Sequence, residues 1–163
     1  MGAAIYPPPV SQSPTLVALQ NCEAIPSADY VMNAETMQFT QTFTAKPNRT
    51  YKITFQMSNV DTDGTTGSAY IAKSAAITAC RWAAGSSVTP SSKEIGTIHT
   101  SVFGDDSLRN SGVSATFWLE SPPAGLNTIG ISLKSSVPAN GGVRYLAYGD
   151  GNRLAIEDVG PAL

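Results

Sequence analysis

Charge is what this sequence has least of: Asp, Glu, Lys and Arg together make up only 13% of it, against ~25% in an average soluble domain. Its surface must therefore be dominated by Ser, Thr, Asn, Gln and Gly, a neutral polar skin that suits packing against neighbours. Ten Lys plus Arg set against twelve Asp plus Glu leave a formal charge of −2. That balance provides no basic field for nucleic acid. No Lys or Arg precedes Lys46, and the cationic start of a secretory signal is missing with them. Met1-Gly2 is followed at position six by Tyr6, where a myristoylation signal needs Ser or Thr. No apolar run approaches the ~20 residues that cross a bilayer as a helix, so a soluble product with no membrane insertion is expected.

Reactive side chains are equally scarce. Two cysteines, Cys22 and Cys80, are too few for a disulfide framework and too far apart for a metal motif, and they read as buried free thiols of a chain made in a reducing compartment, with a bridge between them as the alternative. The single histidine, His99, lies in a Thr/Ser-rich run with no nucleophile signature around it. A catalytic triad would lack its other members there, and a hydrogen-bonded strand histidine is the reading. Asp61-Thr-Asp63-Gly64 opens like a calcium loop, but the later ligands and closing glutamate are absent. Gly104-Asp-Asp106 and Gly149-Asp-Gly151 likewise read as solvated turns. Asp105, Asp106, Glu120 and Asp150 show no spacing that would pair two carboxylates for glycoside chemistry. Asn48-Arg-Thr50 matches a glycosylation sequon by pattern only. No catalytic, cofactor-binding or metal-ligating set emerges, and no enzyme is expected.

What is present is alternation. Tyr51, Ile53, Phe55 and Met57 take one parity and Lys52, Thr54, Gln56 and Ser58 the other, a period of two that a half-buried strand satisfies. Val113, Ala115, Phe117 and Leu119 repeat the pattern against Ser114, Thr116 and Glu120. So do Ile129, Ile131 and Leu133 against Thr128, Ser132 and Lys134. Met37, Phe39 and Phe43 are set among Gln38, Thr40, Thr42 and Thr44. Thr15 to Gln20, Glu94 to Phe103, Val143 to Tyr148 and Arg153 to Val159 add further short strands. Ala69 to Trp82, alanine-rich but carrying Tyr70, Ile71, Ile77 and Thr78, reads as one long or bent strand rather than a helix.

Turn signals separate these runs, and they predict three hairpins: 37–44 with 51–57 across Lys46-Pro-Asn-Arg49, 113–120 with 126–134 across Ser121-Pro-Pro-Ala-Gly125, and 143–148 with 153–159 across Gly149-Asp-Gly-Asn152. Asn59 to Ser68 reads as a polar loop. Eight to ten short strands with no convincing helix predict an all-β chain, an antiparallel β-sandwich of jelly-roll type. One domain, 15–163, follows an N-terminal segment, 1–14. There Tyr6-Pro7-Pro8-Pro9 favours an extended arm in polyproline II form that could dock on a neighbouring subunit, or a loose terminus. Trp118 falls on the polar parity of its strand and is expected to face outward, as part of a subunit interface or as a sugar-stacking aromatic, with the Tyr145/Tyr148 region as the other candidate for a sugar site.

The closing phrase, Gly-Asn-Arg-Leu-Ala-Ile-Glu-Asp-Val-Gly-Pro at residues 151 to 161, resembles the xLxVEDIGP ending of minor tail proteins and related virion proteins of tailed bacteriophages, especially those infecting actinobacteria. Asn48-Arg-Thr-Tyr-Lys-Ile-Thr-Phe55 resembles the run that opens their β-domain. The resemblance implies a non-enzymatic β-sandwich displayed on a virion surface, commonly as a homotrimer, with no catalytic residues to carry over. With its Pro-rich start the chain is also similar to a capsid decoration protein held to other virion proteins by its arm. A receptor- or carbohydrate-binding module that meets a host cell-surface glycan is the other reading.

Overall fold

A computed structural model of the protein describes residues 13–22, 31, 34–62, 72–103, 112–147 and 151–162. In chain order the strands are β1 (Thr15–Asn21), β2 (Thr36–Ala45), β3 (Arg49–Met57), β4 (Asn59–Thr62), β5 (Ala72–Ala84), β6 (Lys93–Phe103), β7 (Val113–Glu120), β8 (Gly125–Ser135), β9 (Val143–Leu146) and β10 (Arg153–Pro161), with one 3-10 turn at Pro138–Asn140. A front sheet runs β1-β10-β3-β7, a back sheet runs β2-β8-β5-β6, and β4 pairs with β9 beside them. Every ladder is antiparallel. Apart from the β4/β9 pair, the first strand pairs with the last and the second with the last but one, and so inward to the β5/β6 hairpin. A long two-stranded ribbon rolled over on itself gives this order, and the fold is the expected jelly roll.

The rolled ribbon overturns all three predicted hairpins. β2 pairs with β8 and not β3, β7 pairs with β3 and not β8, and β10 lies between β1 and β3 while β9 pairs with β4. Alternation cannot separate a hairpin from an arch that carries the chain to the facing sheet, because both need one greasy parity per strand. The connections themselves favour arches. Single left-handed residues, Asn48 (φ 54°) and Ser121 (φ 46°), stand next to prolines that cannot donate to a ladder, whereas the tightest hairpins favour paired left-handed positions such as Asn-Gly. The arches are tied to each other, the Ser121 amide donating to the Arg49 carbonyl and the Ala162 amide to that of Asn48. A further correction concerns 59–62. These residues form a strand rather than the start of a polar loop, with Val60 fully buried and Asp61 only 4% exposed.

The core lies between the sheets and is built from the parities read above, except that the bulge between Met37 and Phe39 turns Met37 to the outer face. Tyr51, Ile53, Phe55 and Met57 of β3, Phe117 and Leu119 of β7, and Leu154 and Ile156 of β10 face Phe39 and Phe43 of β2 and Ile129, Ile131 and Leu133 of β8. Each such side chain contributes about 1.5–3 kcal/mol relative to exposure. Phe43 meets Tyr51 with ring centroids 4.9 Å apart and Phe39 meets Phe55 at 5.8 Å, tilted geometries that suit the ring quadrupoles. Both faces of β8 are covered. Its outward Thr128 and Ser132 are buried, because Val88 and Met37 lie over Gly130, where a Cβ would meet the Met37 sulfur at 2.6 Å and a Val88 methyl at 2.7 Å.

Where β6 of the back sheet passes β7 of the front, Gly96 faces Phe117, and a Cβ at Gly96 would come within 2.8 Å of that ring. Gly96→Val is therefore expected to cost about 1–3 kcal/mol by overpacking, lowering the thermal midpoint by roughly 2–4 °C per kcal/mol in a domain of this size. An unchanged midpoint would mean that the sheets do not close along this side.

Candidate functional site

Two surfaces carry side chains that the core does not use. The first is the outer face of the front sheet. Its cross-strand rows read Leu16–Glu157–Lys52–Trp118, Leu19–Ala155–Thr54–Thr116 and Asn21–Arg153–Gln56–Ser114. Lys52 Nζ meets Glu157 Oε2 at 2.8 Å and Arg153 Nε donates to Gln56 Oε1 at 2.8 Å, so the charged middle is satisfied within the sheet. Apolar side chains stand at the two rims. Trp118 is 53% exposed on β7, and Leu16 and Leu19 are 53% and 50% exposed on β1, with Val17 at the β1 bulge beside them. Four of the six exposed large hydrophobic residues among those described lie on these two edge strands.

Trp118 thus faces outward as its parity indicated, but Tyr145 is not available to a sugar. Tyr145 is fully buried, its ring 5.4 Å from Phe55 and 6.1 Å from Phe39, and its hydroxyl shares a 2.6 Å hydrogen bond with Thr78 Oγ1. Burial holds that phenol far above its usual pKa. The correction has a plain cause: Val143 and Tyr145 share the inward parity of β9, and a tyrosine can enter a core when its hydroxyl finds a partner there. Tyr6, Pro7, Pro8, Pro9 and Tyr148 lie outside the described residues.

The second surface is a depression of about 280 Å³ on the outer face of the back sheet, lined by Glu35, Ile77, Ala79, Arg81, Glu94, Thr97, His99 and Lys134. Arg81 organises one end. Its Nε and one terminal nitrogen donate to the two oxygens of Glu35 at 2.8 and 2.7 Å, and it reaches Glu94 at 3.0 Å and the Ser92 carbonyl at 3.3 Å. Burial alone would raise the Glu35 carboxyl, but hydrogen bonds from Arg81 and Ser132 and the charges of Arg81 and Lys134 hold it below its ordinary range. His99, read from sequence as a hydrogen-bonded strand residue, is instead exposed on the rim of this depression, and neither its imidazole nor the Lys134 ammonium makes a hydrogen bond or ion pair with the described residues. Sequence reasoning missed the depression because its parts come from three strands and from Glu35, and no local spacing joins them.

Of the other candidates, Asp63, Asp105, Asp106 and Asp150 lie outside the described residues. Asp61 accepts from Arg144 Nε at 3.1 Å and from a terminal nitrogen at 2.9 Å, a pairing that occupies the carboxylate a calcium loop would have used. Among the described residues no group of three or more His, Cys, Asp or Glu could hold a metal ion. Cys22 and Cys80 are both buried and free. Burial pushes the Cys22 thiol up to about 11, a backbone hydrogen bond from Leu154 opposing it, and pushes Cys80 higher still.

A family model described as Domain of unknown function (DUF7298) matches residues 1–163. No curated protein matches the chain.

Two measurements check this chemistry. At pH 8 neither thiol should react with a disulfide reagent in the native protein and both should react in denaturant; a native thiol that reacts at once would contradict their burial. A carboxyl depressed on folding adds stability that is full above its unfolded pKa, ~4.3 for Glu, and is lost as pH falls through the lower folded value. Glu35→Gln should therefore flatten the loss of stability on acidification below about pH 4.3, and an unaltered acid profile would count against the Arg81 pairing.

Proposed function

We propose that this chain, which belongs to the DUF7298 family, is a non-enzymatic structural protein of a tailed-bacteriophage virion, displayed on the particle surface as a minor tail or capsid decoration protein and assembled as a homotrimer. The observation that carries the reading is what the fold does with the tail-protein-like ending. Leu154 and Ile156 fill the core, and Asp158 is buried, accepting from Arg49 Nε at 2.8 Å and from its terminal nitrogen at 2.6 Å. Gly160 takes φ 129°, where a side chain would be strained. The resemblance therefore rests on residues that hold a scaffold together, as expected of proteins related by architecture and not by a shared reaction.

Assembly is supported by the two apolar rims of the front sheet, and the occupant proposed for each is another copy of this chain. The rims lie on opposite edges, three strand spacings or roughly 14 Å apart, and differ in shape, a broad indole on one and a pair of leucines on the other. Different patches that meet head to tail generate a ring, whereas an isologous dimer buries the same patch twice. Lys52 and Glu157 neutralise each other in the middle of this face, which lowers the desolvation cost of the contact there. The segment at residues 1–14 fastens the ring to the particle in this reading.

Sedimentation at tens of micromolar should give a three-chain mass for the protein and a one-chain mass for both Trp118→Ser and the double variant Leu16→Ser/Leu19→Ser. Mixing the two variants restores one intact contact and should yield a two-chain species only. A dimer that persists in Trp118→Ser would overturn the head-to-tail arrangement. Deleting residues 1–14 should empty the protein from purified particles, and undiminished occupancy would contradict the anchoring role.

A further inference from the structure

The depression on the back sheet has a layout that assembly does not explain. Across β8, β5 and β6 its rows read Lys134–Ile77–His99, Ser132–Ala79–Thr97 and Gly130–Arg81–Glu94. The middle row is short: Ala79 is only 3% exposed and Ser132 fully buried. Longer side chains before and after it make a hollow with two unlike ends. At the Arg81 end charge is already matched, since Glu35 takes the guanidinium in a two-pronged bond and Glu94 takes its remaining edge. Thr97 Oγ1 also donates to Glu94 Oε1 at 2.7 Å. At the Ile77 end the Lys134 ammonium and the His99 imidazole make no hydrogen bond or ion pair among the described residues, although the Lys134 charge also acts on Glu35.

A cation would meet Arg81 and Lys134 and find its carboxylates already occupied. An anion finds donors at one end only. Half-buried Ile77 offers a small apolar patch above the buried Ala79, and the half-exposed Glu94 carboxylate keeps lone pairs beyond its bonds to Arg81 and Thr97 that can accept from a ligand's hydroxyl groups. At about 280 Å³ the hollow holds on the order of nine waters at ~30 Å³ each, enough for one six-membered ring with its substituents. We propose that this depression binds a single carboxylated pyranose, its carboxylate on Lys134 and His99, its apolar ring face on Ile77 above Ala79, and its hydroxyls toward Glu94 and Thr97. The site stands independently of the virion reading. It is also distinct from Trp118, which lies on the other sheet.

Titrations of the full chain with glucuronate, with N-acetylneuraminate and with glucose, followed through backbone amide NMR shifts, test it. One or both acidic sugars should shift the amides of Ile77, Ala79, Thr97 and His99, and which one does so distinguishes a uronate from a nine-carbon acid. Glucose should bind about tenfold more weakly, and Lys134→Gln should weaken the acid by about tenfold as well, the loss of one charge-assisted contact. Ala79→Leu, an outward change on β5, should abolish the shifts while leaving the rest of the spectrum in place. Trp118→Ser should leave binding unaltered. Equal affinity for glucose and the acids, full binding in Lys134→Gln, or no shift with any sugar at tens of millimolar would overturn the proposal.

Discussion

The fold depends on one placement: β10, the last strand, lies between β1 and β3, two of the earliest. Without it the front sheet is two unconnected pieces, and the inward Leu154 and Ile156 are missing from the core. The ion pair from Arg49 at the start of β3 to Asp158 near the end of β10 pins this closure at one end, and Asn152, accepting the Ser58 amide at 2.6 Å, pins it at the other. A rolled ribbon of this kind is dominated by pairings between distant parts of the sequence, and such topologies fold slowly because long loops must close before contacts compensate for them.

Strand existence and facing were legible, and strand partners were not. Tyr51, Ile53, Phe55 and Met57, and Val113, Ala115, Phe117 and Leu119, face the core as their spacing predicts. Periodicity reports which side chains share a face, and it is blind to which sheet a strand joins. That blindness produced three hairpins where the chain builds arches between sheets. Asp61 was misread for a related reason: an aspartate among turn-formers looks solvated until Arg144, more than eighty residues later in sequence, arrives beside it. Tyr145 shows that parity should have outranked residue type, since Val143 before it already marked the inward face.

The candidate site was only partly legible. Trp118 could be found because an indole on a polar parity has few reasons to be there. The depression around Ala79 could not be found, because its defining feature is a row of short side chains, and alanine, serine and threonine draw no notice until their neighbours are known. Cover over the rest of that face has the same origin: Gly130 leaves room for Val88 and Met37 to lie across β8, so the hollow begins where that cover stops.

The two sheets divide the described exterior into surfaces of different character, a front with a paired Lys52 and Glu157 at its middle and greasy rims, and a back with a polar hollow. In the proposed ring the front edges are used by neighbouring copies and the back remains open to solvent. The most direct measurement is an image of an intact particle at a resolution that separates strands. The account predicts three copies around one axis, the β1 edge of each against Trp118 of the next. A particle lacking the protein, or one carrying it as isolated single copies with both rims exposed, would contradict it.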